Sequence, residues 1–175
     1  MEAIETLLTR RSCRSYTSQP LDEETLEHIV EAGTFAPSGK GRQPWKFVVV
    51  TNPDDVAKLS HMNAAIMGTD SDPFYGAQTV IVVLVDPAVP TCVEDGSCAI
   101  CNMLNAAHAL GVGSCWIHRA REEFESNEGK ELLTRWGIEG EWRGVGHVIL
   151  GYPGEGSALH PEAAPRHDNV IVRVK

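Results

Sequence analysis

The chain has 175 residues, of which 42% are apolar and 22% are charged, and this composition predicts one globular domain with a sizeable core. Its 24 acidic residues outnumber 15 lysines and arginines, and the net charge of −9 argues against nucleic acid or an anionic membrane surface as a partner. No apolar run reaches the roughly 18 residues of a membrane span, and the first residues lack the features of a signal peptide. Five cysteines without a secretion signal predict free thiols in a cytoplasmic protein.

The first half of the chain predicts helices separated by one strand. Asp22 is the expected N-cap of a helix, because acidic residues follow it and apolar residues then recur along one helical face. Two prolines and two glycines next form a shaped loop, and Asn52 with Pro53 starts another helix. The predicted elements are a helix at 2–9, a helix from 22, a loop at 36–45, a strand at 46–51 and a helix from 53.

The second half of the chain alternates strands with helices. The run from Val80 to Val85 is apolar without alternation, which indicates a strand buried on both faces. The predicted elements are strands at 79–85, 114–119, 147–150 and 169–174, and helices at 94–110 and 127–136. This alternation is typical of an α/β domain, yet no Gly-x-Gly-x-x-Gly follows a strand, which argues against a Rossmann domain.

Side chains that could carry catalysis are few. Cys98 and Cys101 lie within the predicted helix at 94–110, and without a second cysteine pair at zinc spacing we interpret both as core residues. His108 is placed on the same helical face and is interpreted as a hydrogen-bonded core histidine. No metal-ligand spacing, nucleophile elbow or carboxylate pair stands out. This scarcity indicates that the chemistry belongs to a bound cofactor.

The segment from Arg10 to Tyr16 concentrates three of the chain's fifteen basic residues. One interpretation is that these cations favour the negative C-terminal end of the helix at 2–9. The other is a phosphate or carboxylate site, because arginine forks match such anions bidentately and Ser12 offers a hydroxyl beside them. The segment alone leaves both interpretations open.

Four motifs follow one another along the chain. They are Arg10-Arg11-Ser12-x-Arg14-x-Tyr16, then Ala36-Pro37-Ser38-Gly39 with Gln43-Pro44-Trp45, then Gly111-x-Gly113-Ser114-Cys115-Trp116-Ile117, and last Gly151-Tyr152-Pro153. In this order and at these distances they resemble the nitroreductase family of flavin enzymes over nearly the whole chain. The resemblance implies an α+β fold, with a central, mainly antiparallel sheet flanked by helices, in place of the α/β domain that the local pattern predicts.

The resemblance also implies a single FMN-binding domain over residues 1–175, assembled as an intertwined homodimer. Two sites would lie at the dimer interface, each built from both chains. Residues 152–175 would form a C-terminal extension that embraces the partner subunit, and the strand at 169–174 would join the partner's sheet. The implied small-molecule partners are FMN, with NADH or NADPH as co-substrate, and no metal is expected.

The resemblance implies site residues position by position, and none of them is a certain catalytic acid, base or nucleophile. The matches to the phosphate and ribityl contacts are Arg10, Arg11, Ser12 and Arg166. The matches to a loop lent to the partner's flavin ring are Pro37, Ser38 and Gly39, with Gly41 where many members have Asn. The matches to the strand end whose backbone amide faces flavin N5 are Trp116, Ile117, His118 and Arg119. Arg14, near the pyrimidine edge, and the His118 amide are the expected flavin-tuning groups.

The activity implied is ping-pong hydride transfer from NADH or NADPH through flavin N5 to a nitroaromatic, a quinone or a similar small oxidant. The alternatives are dehalogenation, desaturation or flavin destruction by a specialised enzyme, and a flavin-binding protein without enzymatic activity. The chain departs from the family in having no Lys or Arg between Lys58 and Arg119, where many members place a lysine near flavin N1. Arg166 is followed by His167, so the second late cation is weak at neutral pH.

Overall fold

The computed structural model describes residues 1–157 and 162–174. Their helices are α1 Ala3–Thr9, α2 Glu23–Thr34, α3 Pro53–Met67, α4 Cys92–Ala109, α5 Ala120–Glu125 and α6 Asn127–Arg135. Their strands are β1 Trp45–Val50, β2 Thr79–Val85, β3 Gly113–Ile117 and β4 Arg143–Gly151. No helix in these two ranges is long and apolar enough to cross a membrane.

Two helices begin at the caps that the sequence predicts. The Asp22 carboxylate accepts the backbone N–H of Thr25, and this hydrogen bond lowers the pKa of Asp22 below its usual value. The Asn52 side chain accepts the N–H groups of Asp54 and Asp55 at the start of α3. The local sequence therefore determines where α2 and α3 begin.

The four strands form one sheet in the order β1-β2-β4-β3, and every neighbouring pair is antiparallel. The α/β interpretation of the local pattern is therefore wrong, and the α+β fold is confirmed. Strand pairing joins residues far apart in the sequence, so the order of the elements alone does not determine it. β2 lies in the middle of the sheet, and Val80–Val85 are fully buried, as their unbroken apolar run predicts.

Side chains of β2 alternate between two apolar clusters, one on each face of the sheet. Val80, Val82 and Leu84 pack with α3, α5 and α6, whereas the residues between them pack with α2 and α4. Gly96 lets α4 approach the sheet, because a Cβ there would meet Val85 at 2.8 Å. These helices bring the residues of the candidate site to the edges and ends of the sheet.

Three features of the structure differ from the predictions or add to them. Cys98 and Cys101 are exposed on α4, so their interpretation as core residues is wrong in the single chain. Residues 169–174 form no strand within the single chain, where the apolar side chain of Val172 is 82% exposed, and their pairing with the partner's sheet stays a prediction. α5 was not predicted at all. The predicted C-terminal extension also contains residues 158–161 and 175, which lie outside the described residues.

Candidate functional site

Residues 10–16, which we call the arginine segment, run along the outer edge of β3. Ser12 forms a parallel bridge with Ser114, and the Cys13 N–H donates to the Ser114 carbonyl at 2.9 Å. Tyr16 bridges Pro153, and its hydroxyl donates to the Cys13 carbonyl at 2.8 Å. The segment is thus fixed at both ends by backbone hydrogen bonds.

The polar groups of the arginine segment lie around Cys115 of β3. Burial raises the pKa of the Cys115 thiol, while a hydrogen bond with Ser12 and the charges of Arg14 and Arg10 act against that rise. Burial also raises the pKa of Tyr16 well above its ordinary value, so its hydroxyl remains a protonated donor.

Arg10 and Arg11 differ in their surroundings. Arg11 turns back on α1, where its Nη1 donates to the carbonyls of Leu8 at 2.9 Å and of Arg10 at 2.8 Å. Arg10 Nη1 and Arg11 Nε are buried and have no hydrogen-bond partner among the described residues. An unpaired buried guanidinium N–H is costly, and arginine cannot lose its proton to avoid that cost. Arg11 therefore caps α1 through its Nη1, and each of the two arginines keeps a buried donor available to an anion.

Arg14 is the exposed arginine of the segment. Its guanidinium carbon lies 6.0 Å from the centroid of the Tyr75 ring, in the loop between α3 and β2. Tyr75 has a φ of +54°, an unusual conformation that the Asp72 carboxylate supports by accepting the N–H groups on both sides of it. The loop thereby places an aromatic ring close to the cation.

The loop at Pro37–Gly39 is held by the N-terminal end of α4. The Gly39 N–H donates to Asp95 Oδ1 at 2.9 Å, and the Ser38 hydroxyl accepts the Gln43 N–H at 3.0 Å. A Cβ at Gly39 would collide with Thr91, so this close approach requires glycine. Gly41, with a φ of +66°, has open space where a side chain would stand.

α4 separates this loop from the arginine segment. Asp95, which holds Gly39, is near its N-terminus, whereas His108 is near its C-terminus and hydrogen-bonds Thr9 at 2.8 Å. His108 is buried, which confirms its interpretation as a satisfied core histidine. Thirteen residues at 1.5 Å each place the two ends about 20 Å apart. The contact of Gly39 and the contact of Thr9, the residue before the arginine segment, therefore lie at opposite ends of α4.

At the end of β3, backbone groups rather than side chains are available to a ligand. The indole of Trp116 packs over Gly146 of β4, and Ile117 lies in the core, so neither side chain faces an open site. His118 is exposed, and Arg119 has a φ of +78° just before α5. The predicted amide contact at this strand end is thus compatible with where its side chains point.

A buried polar cluster lies next to this strand end, and its residues were not predicted from the sequence. Asn63 of α3 donates to the His118 carbonyl at 2.7 Å and also donates to Glu123 of α5. Glu123 in turn pairs with His147 of β4 at 2.9 Å, and all three side chains are fully buried. No spacing in the sequence relates these residues, because they come from three separate elements.

Arg166 does not join the arginine segment by any hydrogen bond within residues 1–157 and 162–174. It is exposed, and its Nε and Nη2 donate to the Ala164 carbonyl at 3.1 and 2.6 Å. The described residues also contain no group of three or more His, Cys, Asp or Glu side chains that could hold a metal ion. A cleft of about 540 Å³ between α3 and the loop before β2 is lined by none of the predicted site residues.

Comparisons with known proteins identify relatives of this chain. A family model described as the Nitroreductase family matches residues 7–68 and 64–152. A protein of Archaeoglobus fulgidus named "Putative NADH dehydrogenase/NAD(P)H nitroreductase" is 34% identical over 157 residues, which cover 87% of this chain and 86% of that protein. Iodotyrosine deiodinase 1 of Rattus norvegicus is 43% identical over 58 residues, which cover 33% of this chain and 20% of that protein.

A solved structure gives the same result for the fold. A nitroreductase with bound FMN from Bacteroides fragilis superposes with a TM-score of 0.90 at 30% sequence identity, and the match covers 100% of both chains.

Proposed function

Because the chain belongs to the nitroreductase family and has its fold, we propose that it is an FMN-dependent oxidoreductase that transfers a hydride from NADH or NADPH to a small oxidant. The expected oxidants are nitroaromatics, quinones and similar molecules. One observation carries the proposal: the arginine segment holds a buried, unpaired guanidinium N–H of Arg10, two positions before Ser12 in the sequence. A terminal phosphate fits this donor, since it offers charged acceptor oxygens.

When bound, FMN supplies the redox chemistry, taking a hydride at N5 and returning two electrons to the oxidant. Arg10 and Ser12 would hold its phosphate, and Arg14 would place positive charge near the pyrimidine edge. The backbone at His118 and Arg119 would offer amide donors to the ring. Side-chain acids and bases are not needed, which fits the scarcity of such groups in the sequence. These residues bind and orient, and they stabilise negative charge as it develops.

We further propose that the active unit is a homodimer. No hydrogen bond among the described residues joins the loop at Pro37–Gly39 to the arginine segment, and its contact with Asp95 lies about 20 Å along α4 from the contact of Thr9 with His108, so the loop would serve the partner's flavin. α1 exposes Ile4, Leu7 and Leu8, each at least 60% accessible, and such an apolar face favours a partner. The exposed apolar residues at 170–174 would pair with the partner's sheet, which accounts for their lack of contacts in one chain.

A second candidate is reductive dehalogenation of an aromatic substrate. The observation that favours it is the 43% identity to the iodotyrosine deiodinase over 58 residues. That match covers only 33% of this chain, so hydride transfer to nitroaromatics and quinones is the preferred function. The two candidates share the flavin and differ in the oxidant. Iodide release from iodotyrosine by the reduced protein separates them.

The experiment that tests the proposal starts from the purified protein. It should be yellow, and denaturation should release FMN rather than FAD, as read by chromatography of the released flavin. A panel of nitroaromatics, quinones and iodotyrosine is then added to the pre-reduced protein under argon. Reoxidation by the first two classes without iodide release is the expected result. A colourless protein that fails to bind added FMN would contradict the proposal.

A further inference from the structure

We propose that Asn63 is a positioning residue that fixes the backbone corner at His118 and Arg119 against the flavin ring. The inference rests on the proposed function, because the ring is placed at this corner by that function. Asn63 itself lies in α3, is fully buried, and belongs to none of the predicted site motifs. Its role follows from which groups it holds.

The Asn63 amide is fully committed to this corner. Its Nδ2 donates to the His118 carbonyl at 2.7 Å and to a Glu123 carboxylate oxygen, while its Oδ1 accepts Arg119 Nε at 3.1 Å. Rotating the amide by 180° would set its oxygen against a carbonyl and a carboxylate, so only one orientation is satisfied. Asn63 thereby joins the residues on both sides of the 118–119 peptide bond.

Glu123 and His147 keep Asn63 in place. Glu123 accepts Asn63 on one carboxylate oxygen and lies 2.9 Å from His147 Nε2 through the other. The rings of Phe74 and Phe124 stand 5.4 and 6.3 Å from the His147 ring and exclude water from the pair. Turning Asn63 away would leave a buried carboxylate oxygen without a donor, which is strongly unfavourable. The cluster therefore holds the amide rigidly.

The direction of the Arg119 backbone N–H follows from the hydrogen bonds that Asn63 makes with His118 and Arg119. The 118–119 peptide is trans, so the N–H of Arg119 points opposite to the His118 carbonyl that Asn63 holds. Arg119 also has a φ of +78°, which residues with a Cβ adopt rarely without support from their surroundings. Support comes from Asn63 and from Met67, whose sulfur accepts Arg119 Nη2 at 3.0 Å. A preorganised donor at the ring stabilises the electron density that reduction adds.

The test compares Asn63→Leu with Asn102→Leu as the matched control. Asn102 also donates from its amide to a backbone carbonyl, that of Ala32 at 3.1 Å, but it joins α4 to α2 away from the corner. For each holoenzyme we would measure the FMN midpoint potential by dye equilibration and the FMN dissociation constant. The potential is informative because a purely structural role of Asn63 would leave it unchanged.

Asn63→Leu should weaken binding of reduced FMN about ten-fold relative to oxidised FMN, which lowers the midpoint potential by about 30 mV. Asn102→Leu should leave the potential unchanged. If Asn63→Leu does not fold, Arg119→Lys decides, because it removes the Nε contact with Asn63 together with the Nη2 contact with Met67 and keeps the charge. A shift of about three-fold in the same direction then supports the inference, and no shift overturns it.

The failure of this inference and that of the proposed function are distinguishable. A yellow wild-type protein whose potential is unmoved in the Asn63→Leu variant, or moved equally in the control, overturns the positioning role alone. A wild-type protein that binds no FMN overturns both.

Discussion

Replacing Arg10 with methionine should weaken FMN binding and, at the same time, make the apoprotein more stable. Arg10 is half-buried, and its Nη1 is a buried donor without a hydrogen-bond partner among the described residues. Leaving such a donor unpaired costs about 1–3 kcal/mol in the folded apoprotein. Methionine keeps much of the side-chain length and has no N–H to satisfy, so most of this cost should disappear. A site that binds an anion at the expense of stability predicts this combination of weaker FMN binding and higher apoprotein stability.

The loss in binding follows from the same donor. A hydrogen bond to a charged group contributes about 1.5–3 kcal/mol, so FMN should bind about 10- to 150-fold more weakly to the variant. Urea denaturation of the apoproteins, at one protein concentration, measures the first effect, and quenching of FMN fluorescence measures the second. Arg121→Met is the control, because the pair of Arg121 with Glu125 is exposed to solvent, should contribute little to stability, and lies outside the site.

Two results would refute the reasoning about Arg10. An Arg10→Met apoprotein that is less stable than the wild type would mean that its guanidinium is satisfied within the protein. Unchanged FMN affinity, with Arg121→Met behaving as expected, would mean that the phosphate is held elsewhere.

Three further predictions concern other parts of the site. Arg14→Met should lower the FMN midpoint potential by tens of millivolts with only modest loss of FMN, since about 1.4 kcal/mol equals roughly 30 mV; an equal potential by dye equilibration would show that another group holds the charge. Tyr16→Phe removes the 2.8 Å hydrogen bond to the Cys13 carbonyl and should lower the free energy of unfolding by about 1 kcal/mol, as measured by urea denaturation. An unchanged urea concentration at the unfolding midpoint would show that this bond does not fix the arginine segment. A chain ending at Tyr152 should elute as a colourless monomer in size-exclusion chromatography, whereas a yellow dimer would contradict the role assigned to the C-terminal extension.

Features of the chain that depend on neighbouring residues, such as helix caps and strand burial, were predictable from the sequence. The N-caps at Asp22 and Asn52 and the buried strand at 79–85 were all predicted and are all present. The antiparallel sheet was not accessible from the order of strands and helices, because β2 pairs with β4, about 65 residues further along. Only the resemblance to a family corrected the α/β prediction.

The wrong prediction for the cysteines of α4 has a geometric cause. Residues three apart on a helix are offset by about 60°, because each residue turns 100°. Cys98 and Ala107 are three such steps apart and therefore lie on opposite sides of α4. Ala107 is buried and Cys98 is exposed, as this drift requires. A stripe read at every third residue cannot stay on one face for ten residues.

In the candidate site, too, residues adjacent in the sequence were predictable, whereas residues brought together by the fold were not. The arginine segment was visible in the sequence because its residues are adjacent. The cluster of Asn63, Glu123 and His147 was not, since each residue is unremarkable among its neighbours and the contacts cross three elements. The distance between the contacts that α4 makes with Gly39 and with Thr9 also required the length of that helix. Positions along a chain do not reveal such distances.

Anaerobic titration of the FMN-loaded protein with NADH, and separately with NADPH, tests the central claim most directly. The absorbance of oxidised flavin is followed during the titration, and a quinone is then added. We expect at least one nicotinamide to bleach the flavin fully at one equivalent per FMN, and the quinone to restore the oxidised spectrum. A protein that binds FMN tightly but is bleached by neither nicotinamide would be a flavin-binding protein, and this result would contradict the proposed oxidoreductase function.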